Sequence, residues 1–248
     1  MLVYPQLASG ALSQFPVKRQ RRARTVTNRA DDGSSVKLAD PHGAYIEWSL
    51  PYAGLSDAEL ASLQQFFADA EGTLNPFTFL DPTDNLLAWS GELSNAVFVK
   101  GPLLTVSGGP DIWHLANTGG GPQDITQTIA APAEYLYCLS AYARASQPAT
   151  VTMLIGSHRA DRVVGTDFAR IVFAASGDPA FGLEIPAGAT VDVRGLQAEA
   201  QGAPSVYKSS TTGGVYENAR LRDDTLTITS TDLNQHSCTV NVYYANHL

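Results

Sequence analysis

The stretch "GTLNPFTFLDPTDNLL", Gly72–Leu87, decides how the chain is divided. It follows the one segment that reads firmly as a helix, "SDAELASLQQFFADAEG", Ser56–Gly72. There Ser56 and Glu59 form a capping box, each side chain satisfying a backbone donor left free at a helix start. Leu60, Leu63, Phe66 and Phe67 recur at the spacing of one apolar stripe, and Gly72 supplies the left-handed stop. After that stop, Phe77 and Phe79 alternate at period two, which predicts a short strand. The rear half, "LDPTDNLL", reads as a turn stiffened at Asp81-Pro82, where the chain leaves one structural unit for another.

Working outward, the segment before the helix is strand-like. Two β-prone runs flank Asp31-Asp32-Gly33, a hairpin signal. In "AYIEWSLPY", Ile46, Trp48 and Leu50 share one face, and Pro51 is expected to end that strand or lie at an edge. Beyond Trp89 the texture changes. Short β-prone runs ("NAVFVK", "DITQTIA", "EYLYCLSAYARA", "TVTMLIG", "ARIVFAAS", "TVDVRGLQAEA") alternate with Gly, Pro, Ser and Thr, which predicts a β-sandwich or jelly roll. A Ser/Thr/Gly-rich link, "SSTTGGVYENA", then leads to two closing strands, with Leu226 and Ile228 on one face and Cys238, Val240, Val242 and Tyr244 on the other. The expected organisation is a mainly β chain with one helix at about 56–71. Residues 1–88 and 208–248 form a discontinuous β-sandwich domain, and residues 89–207 form an inserted jelly roll.

A length of 248 residues and a hydrophobic fraction of 44% are enough for real cores. The formal charge of −8 disfavours bulk nucleic-acid binding. The basic run "KRQRRAR", Lys18–Arg24, is read as a solvated strand face or a contact to an acidic neighbouring subunit. Cys138 and Cys238 are too sparse for a disulfide scaffold; buried thiols are expected, with a bridge left open. No stretch approaches a membrane-spanning length, and the N-terminal order of apolar before basic residues is the reverse of a secretory signal.

The search for chemistry is mostly negative. His42, His114, His158, His236 and His247 stand in no metal-ligand spacing, and no nucleophile elbow or phosphate loop is present. No cofactor and no metal are expected, and the chain is not read as an enzyme. Asp161, Asp167, Asp178, Glu184, Asp192 and Glu199 could in principle supply a glycosidase pair, but their spacing selects none. Sugars stack on aromatic faces while polar side chains fix their hydroxyls, so Trp89, Trp113, Tyr135, Tyr137 and Tyr142 were weighed as contacts. The candidate glycan-binding set is Trp113, His114, Tyr137, Tyr142 and Arg144, with Trp113 in "GGPDIWHLANTGGG" foremost.

Two resemblances add to this. "FPVK" at Phe15–Lys18, the block "YIEWSLPYAGLSDAELASLQQFFADAEGTLNPFTFLDP" and the closing strands resemble the distal-tail and minor-tail proteins of long-tailed bacteriophages. The elements carrying this are Trp48, Leu55–Glu59, Phe66–Gly72 and Phe77–Pro82. The central segment is similar to carbohydrate-binding-module jelly rolls of phage structural proteins, through Gln127-Thr128, Tyr137–Arg144 and Gly195–Thr211. These resemblances imply a baseplate or tail-tip protein of the virion, assembled in the host cytoplasm. Its implied partners are further copies of itself in a hexameric ring, the tail tube protein, the baseplate hub and tail fibre proteins, and host-surface polysaccharide, with no membrane insertion. Two rival functions are a tail-associated polysaccharide-degrading enzyme and a free lectin-like protein.

Overall fold

In the computed structural model, which describes residues 2–245, the chain is mainly β with a single α-helix among the described residues. His247 lies outside them. The first part of the chain supplies β1 (Lys18–Arg29), β2 (Ser35–Leu55), α1 (Asp57–Asp69) and β3 (Phe77–Leu80). The middle supplies β4 (Val99–Lys100), β5 (Leu104–Gly109), β6 (Ile112–Asn117), β7 (Gln123–Thr128) and β8 (Leu136–Ala145). It continues with β9 (Ala149–Ile155), β10 (His158–Val164), β11 (Ala169–Ser176), β12 (Ala180–Ile185) and β13 (Thr190–Glu199). The end supplies β14 (Val215–Leu221), β15 (Ile228–Asp232) and β16 (Gln235–Ala245). These elements cluster into two compact units: Met1–Leu7, Ser13–Phe79 and Tyr216–Leu248 in one, Ala8–Leu12 and Leu80–Val215 in the other.

The first unit is a six-stranded sheet in the order β1-β2-β16-β14-β3, with β15 paired to β16. Trp48 and Leu50 are fully buried, as the alternation in β2 predicts. The strand does not stop at Pro51 but runs on to Leu55, with Pro51 paired to Thr239. Pro51 lies past Lys18–Ser49, the pair at that end of the β1–β2 ladder, so its missing N–H falls where one side of β2 has no β1 partner. The capping box of α1 forms, with the Glu59 amide donating to Ser56 Oγ at 3.3 Å and the Ser56 amide to Glu59 Oε2 at 3.0 Å. Leu60, Leu63 and Phe66 face inward. There Phe66 and Phe77 meet edge to face, Tyr4 packs on Phe66, Phe77 and Phe79, and Trp48 packs on Phe79 and Tyr216. The start of α1 is also tied to the β15–β16 turn. Asp57 accepts from the Asn234 amide at 3.1 Å and contacts His236 Nε2 at 2.6 Å, while His236 Nδ1 lies 2.8 Å from Ser230 Oγ.

The second unit is two antiparallel five-stranded sheets, β10-β9-β12-β7-β4 and β11-β8-β13-β6-β5. Successive strands pass repeatedly from one sheet to the other, the jelly-roll pattern. Tyr137 of β8 meets Phe181 of β12 edge to face at 5.1 Å, so the two sheets share one core. Leu115, Ile125, Leu139, Val151, Met153, Leu183, Val191 and Val193 fill it, all fully buried.

Residues 80–88 fall in this second unit and not in the first, because "LDPTDNLL" is held by buried contacts. Leu80, Leu86 and Leu87 are buried, and Asn85 between them is a fully buried staple. Its amide donates to Leu196 O at 2.9 Å and Lys208 O at 3.2 Å, and its oxygen accepts from the Leu87 and Ala198 amides, each at 3.1 Å. The Ser/Thr/Gly-rich segment is likewise packed: Ser90 and Ser210 are both buried and exchange hydrogen bonds at 2.9–3.0 Å. Cys138 and Cys238 are both buried free thiols.

Candidate functional site

Two surfaces of the second unit hold the residue types that the sequence singled out. The first is a cleft of about 410 Å³ lined by Trp89, Trp113, Glu92, Gly108, Gly109 and Thr211, among others. Trp113 projects from the inner face of β6 and is only 6% exposed; its Nε1 donates to Gly91 O at 3.1 Å, leaving part of the ring on the cleft. Trp89 is 40% exposed and sits at φ +52°, the left-handed region that residues other than glycine avoid. Its neighbours hold it there. The Ala88 amide and carbonyl are both bonded to the Gln127 side chain at 2.8 and 2.9 Å, and the Ser90 amide donates to Ser210 O at 3.0 Å. With both flanking residues fixed, the backbone at Trp89 takes the strained conformation and its indole stays at the surface.

The second surface is the outward face of the β11-β8-β13-β6-β5 sheet. Cross-strand register aligns His114, Asp192 and Arg144, and beside them Arg194, Tyr142 and Arg170. Asp192 Oδ1 lies 2.6 Å from His114 Nδ1, and its Oδ2 accepts from Arg144 Nε at 2.9 Å. Burial alone would raise the Asp192 pKa. The hydrogen bonds and charges of His114 and Arg144 outweigh it and hold the carboxyl below its usual range. Arg144 and Arg194 each place Cζ 4.5 Å from the centre of the Phe168 ring, and Arg170 and Arg194 flank Tyr142 at 5.5 and 5.6 Å.

Of the five residues expected to bind glycan, the structure therefore brings His114, Tyr142 and Arg144 together on this face and puts Trp113 on the cleft. Tyr137 is a correction. It is fully buried against Phe181, its hydroxyl donating to Pro132 O at 2.5 Å, and burial raises its pKa. Alternation explains this, because Tyr137 shares the inward face of β8 with Leu139 and Ala141, whereas Tyr142 and Arg144 point outward. The exposed Trp89 ranked below Trp113 in sequence because nothing local shows that its neighbours are clamped.

The passage Gly195–Thr211 is structural in its details. A bulge in β13 puts Gly195 at φ +64°, where a Cβ would come within 3.3 Å of Tyr142 and Tyr207. Buried Glu199 accepts from Gln197 Nε2 at 2.7 Å and the Ser205 amide at 2.9 Å, and Gln197 Oε1 accepts from the Lys208 amide at 2.7 Å. These bonds fasten residues 205–208 to β13. Two of the other carboxylates weighed for glycosidase chemistry are engaged: Glu184 pairs with Arg159 at 2.5 Å, and Asp161 accepts from Thr152 Oγ1 at 2.7 Å. Across the strands from Glu184, Asp124 has its pKa raised by burial and by that neighbouring carboxylate. Among the described residues, no group of three His, Cys, Asp or Glu side chains could hold a metal ion, and no helix is long and apolar enough to cross a membrane.

No family profile and no curated protein sequence matches the chain. Among solved structures, a CBM4 module aligns at 12% identity and a TM-score of 0.37, covering 42% of this chain and 94% of that module. The enzymatically active domain of tailspike protein 4 from bacteriophage CBA120 aligns at 14% and 0.38, covering 49% of this chain and 22% of that one. A family 29 carbohydrate-binding module from Piromyces equi aligns at 12% and 0.33, over 42% of this chain and 81% of the module. Scores this low carry no weight for fold or ligand, and the description of the second unit as a two-sheet sandwich rests on its own strand pairing.

Proposed function

We propose that the chain is a non-catalytic structural protein of a phage tail tip or related tail-like particle, and that its second unit binds cell-surface glycan in the Trp89–Trp113 cleft. The observation that carries the binding role is the cleft itself. A partly exposed indole on a strained backbone lines a glycine-rich cleft together with a second indole, with Thr211 and Glu92 in the same lining for sugar hydroxyls. The tail role is supported by the resemblance carried by Trp48, Leu55–Glu59, Phe66–Gly72 and Phe77–Pro82, which bring together the cap, the helix and the aromatic core of the first unit. A hexameric ring joining tail tube to hub would present several such clefts at once, turning weak sugar contacts into useful avidity.

A glycan array probed with the intact protein tests the binding role. Retention of a neutral oligosaccharide that is lost in Trp89→Ala is the expected result; an array with no Trp89-dependent signal overturns it. Immunogold electron microscopy of the parent particle tests the location, and label anywhere other than the end of the tail tube rejects it. Polysaccharide incubated with the protein is expected to keep its chain length.

A further inference from the structure

The outward face of the β11-β8-β13-β6-β5 sheet, distinct from the cleft, gathers more positive charge than its one carboxylate, Asp192, neutralises. Arg144 and Arg194 both reach the Phe168 ring, each Cζ 4.5 Å from its centre, so the two guanidinium carbons are no more than twice that distance apart. Holding like charges this close costs free energy unless an anion joins them. Asp192 engages Arg144 through Nε only, at 2.9 Å, and is shared with His114. Among the described residues Arg194 is exposed and has ring contacts but no ion pair. A guanidinium stacked on aromatic rings is held in orientation and keeps its edge donors free for a planar acid.

We infer that this face is a binding site for carboxylate-bearing (uronic acid) polysaccharide, with Arg194 and Arg144 taking the carboxylate and Tyr142 and Phe168 holding the two guanidinium groups in place. A uronate carboxylate is planar and can meet the guanidinium fork with two parallel hydrogen bonds, while its single charge limits repulsion from Asp192 beside Arg144. Bulk attraction does not account for such binding, because the chain as a whole carries a formal charge of −8 and repels polyanions. The inference rests on the reading of the second unit as a glycan binder, but it uses residues that the cleft does not.

The test is affinity electrophoresis and calorimetry of the full chain with polygalacturonate, the same polymer after carboxyl reduction, and dextran sulfate. Polygalacturonate is expected to bind, weaken as salt rises, and lose about tenfold or more in affinity in Arg194→Gln, with Arg194→Lys recovering only part. Trp89→Ala should leave this binding unchanged. Equal binding of the carboxyl-reduced polymer, equal or tighter binding of dextran sulfate, or no change in Arg194→Gln would each overturn the site. If neutral glycan binds through Trp89 while polygalacturonate does not bind, the cleft stands and this inference fails. If polygalacturonate binds through Arg194 and no neutral glycan binds, the cleft fails and this inference stands.

Discussion

Trp89 combines a strained backbone with the proposed glycan contact, and the two are separable by substitution. Its left-handed backbone costs on the order of 1 kcal/mol, imposed by the bonds that Gln127 and Ser210 make to its neighbours. Glycine adopts that conformation without strain, so Trp89→Gly is expected to unfold in urea at the wild-type midpoint or above it, while glycan binding disappears. A lower midpoint would mean that the indole is needed for packing and not for ligand. Asn85 is the contrasting case. All of its value is structural, because four hydrogen bonds, three of them buried, converge on one amide. Asn85→Ala strands several backbone partners and should cost about 2–4 kcal/mol, read from the urea transition. Neither role is written in the local sequence: "DNLL" and "AWSG" differ little from ordinary turn text.

Among the elements, α1 and β8 show how legible periodicity is when one face is buried. The capping residues and the inward stripe of α1 stand where spacing put them, apart from Phe67, which is half-buried. In β8 the alternation sets Tyr137, Leu139 and Ala141 against the partly exposed Tyr142 and Arg144, although Cys138 and Ser140 on the second parity are buried as well, and sequence alone does not say which parity faces inward. Strands β5, β6, β10 and β12 escaped notice because they are six or seven residues long and carry glycine, histidine or charge at outward positions. The β6–β13–β8 row yields a pH prediction. Asp192 has its pKa lowered on folding, so its stabilising effect is complete above the unfolded carboxylate value and is lost as pH falls through the folded one. The thermal advantage of wild type over Asp192→Asn should therefore be full near neutrality, begin to shrink at about pH 4, and be lost only below the lowered folded-state value. A difference that persists at lower pH would assign the effect to packing.

At the scale of the whole molecule, the two cysteines report on both units at once. Burial pushes the Cys138 thiol up to about 11 and raises that of Cys238, so neither is a ready nucleophile at neutral pH. A thiol-reactive dye is expected to label neither site in the folded protein and both after denaturation, without prior reduction. Label on one site only in the native state would show that one unit opens locally. The basic strand β1 belongs to this scale too. Its side chains are largely exposed, and Arg22 and Arg24 make partly solvated pairs with Glu47 and Asp40, at 3.7 and 3.4 Å. Pairs so exposed add little to the fold.

What the sequence by itself determined is the set of local devices: the capping box, the apolar stripe, the Phe77–Phe79 strand, the alternating runs and the absence of a catalytic spacing. Each depends on residues within a turn or two of one another, so local physics specifies it. What only the tertiary structure decided is where "LDPTDNLL" belongs and which aromatic faces solvent. Those outcomes depend on partners more than a hundred residues away, Leu196 and Lys208 for Asn85 and Ser210 for Ser90, and on a sheet register that fixes inside from outside. The stretch Gly72–Leu87 thus carries a helix stop and a core strand in its first half, and in its second half a buried amide that ties this segment to Leu196, Ala198 and Lys208 of the second unit.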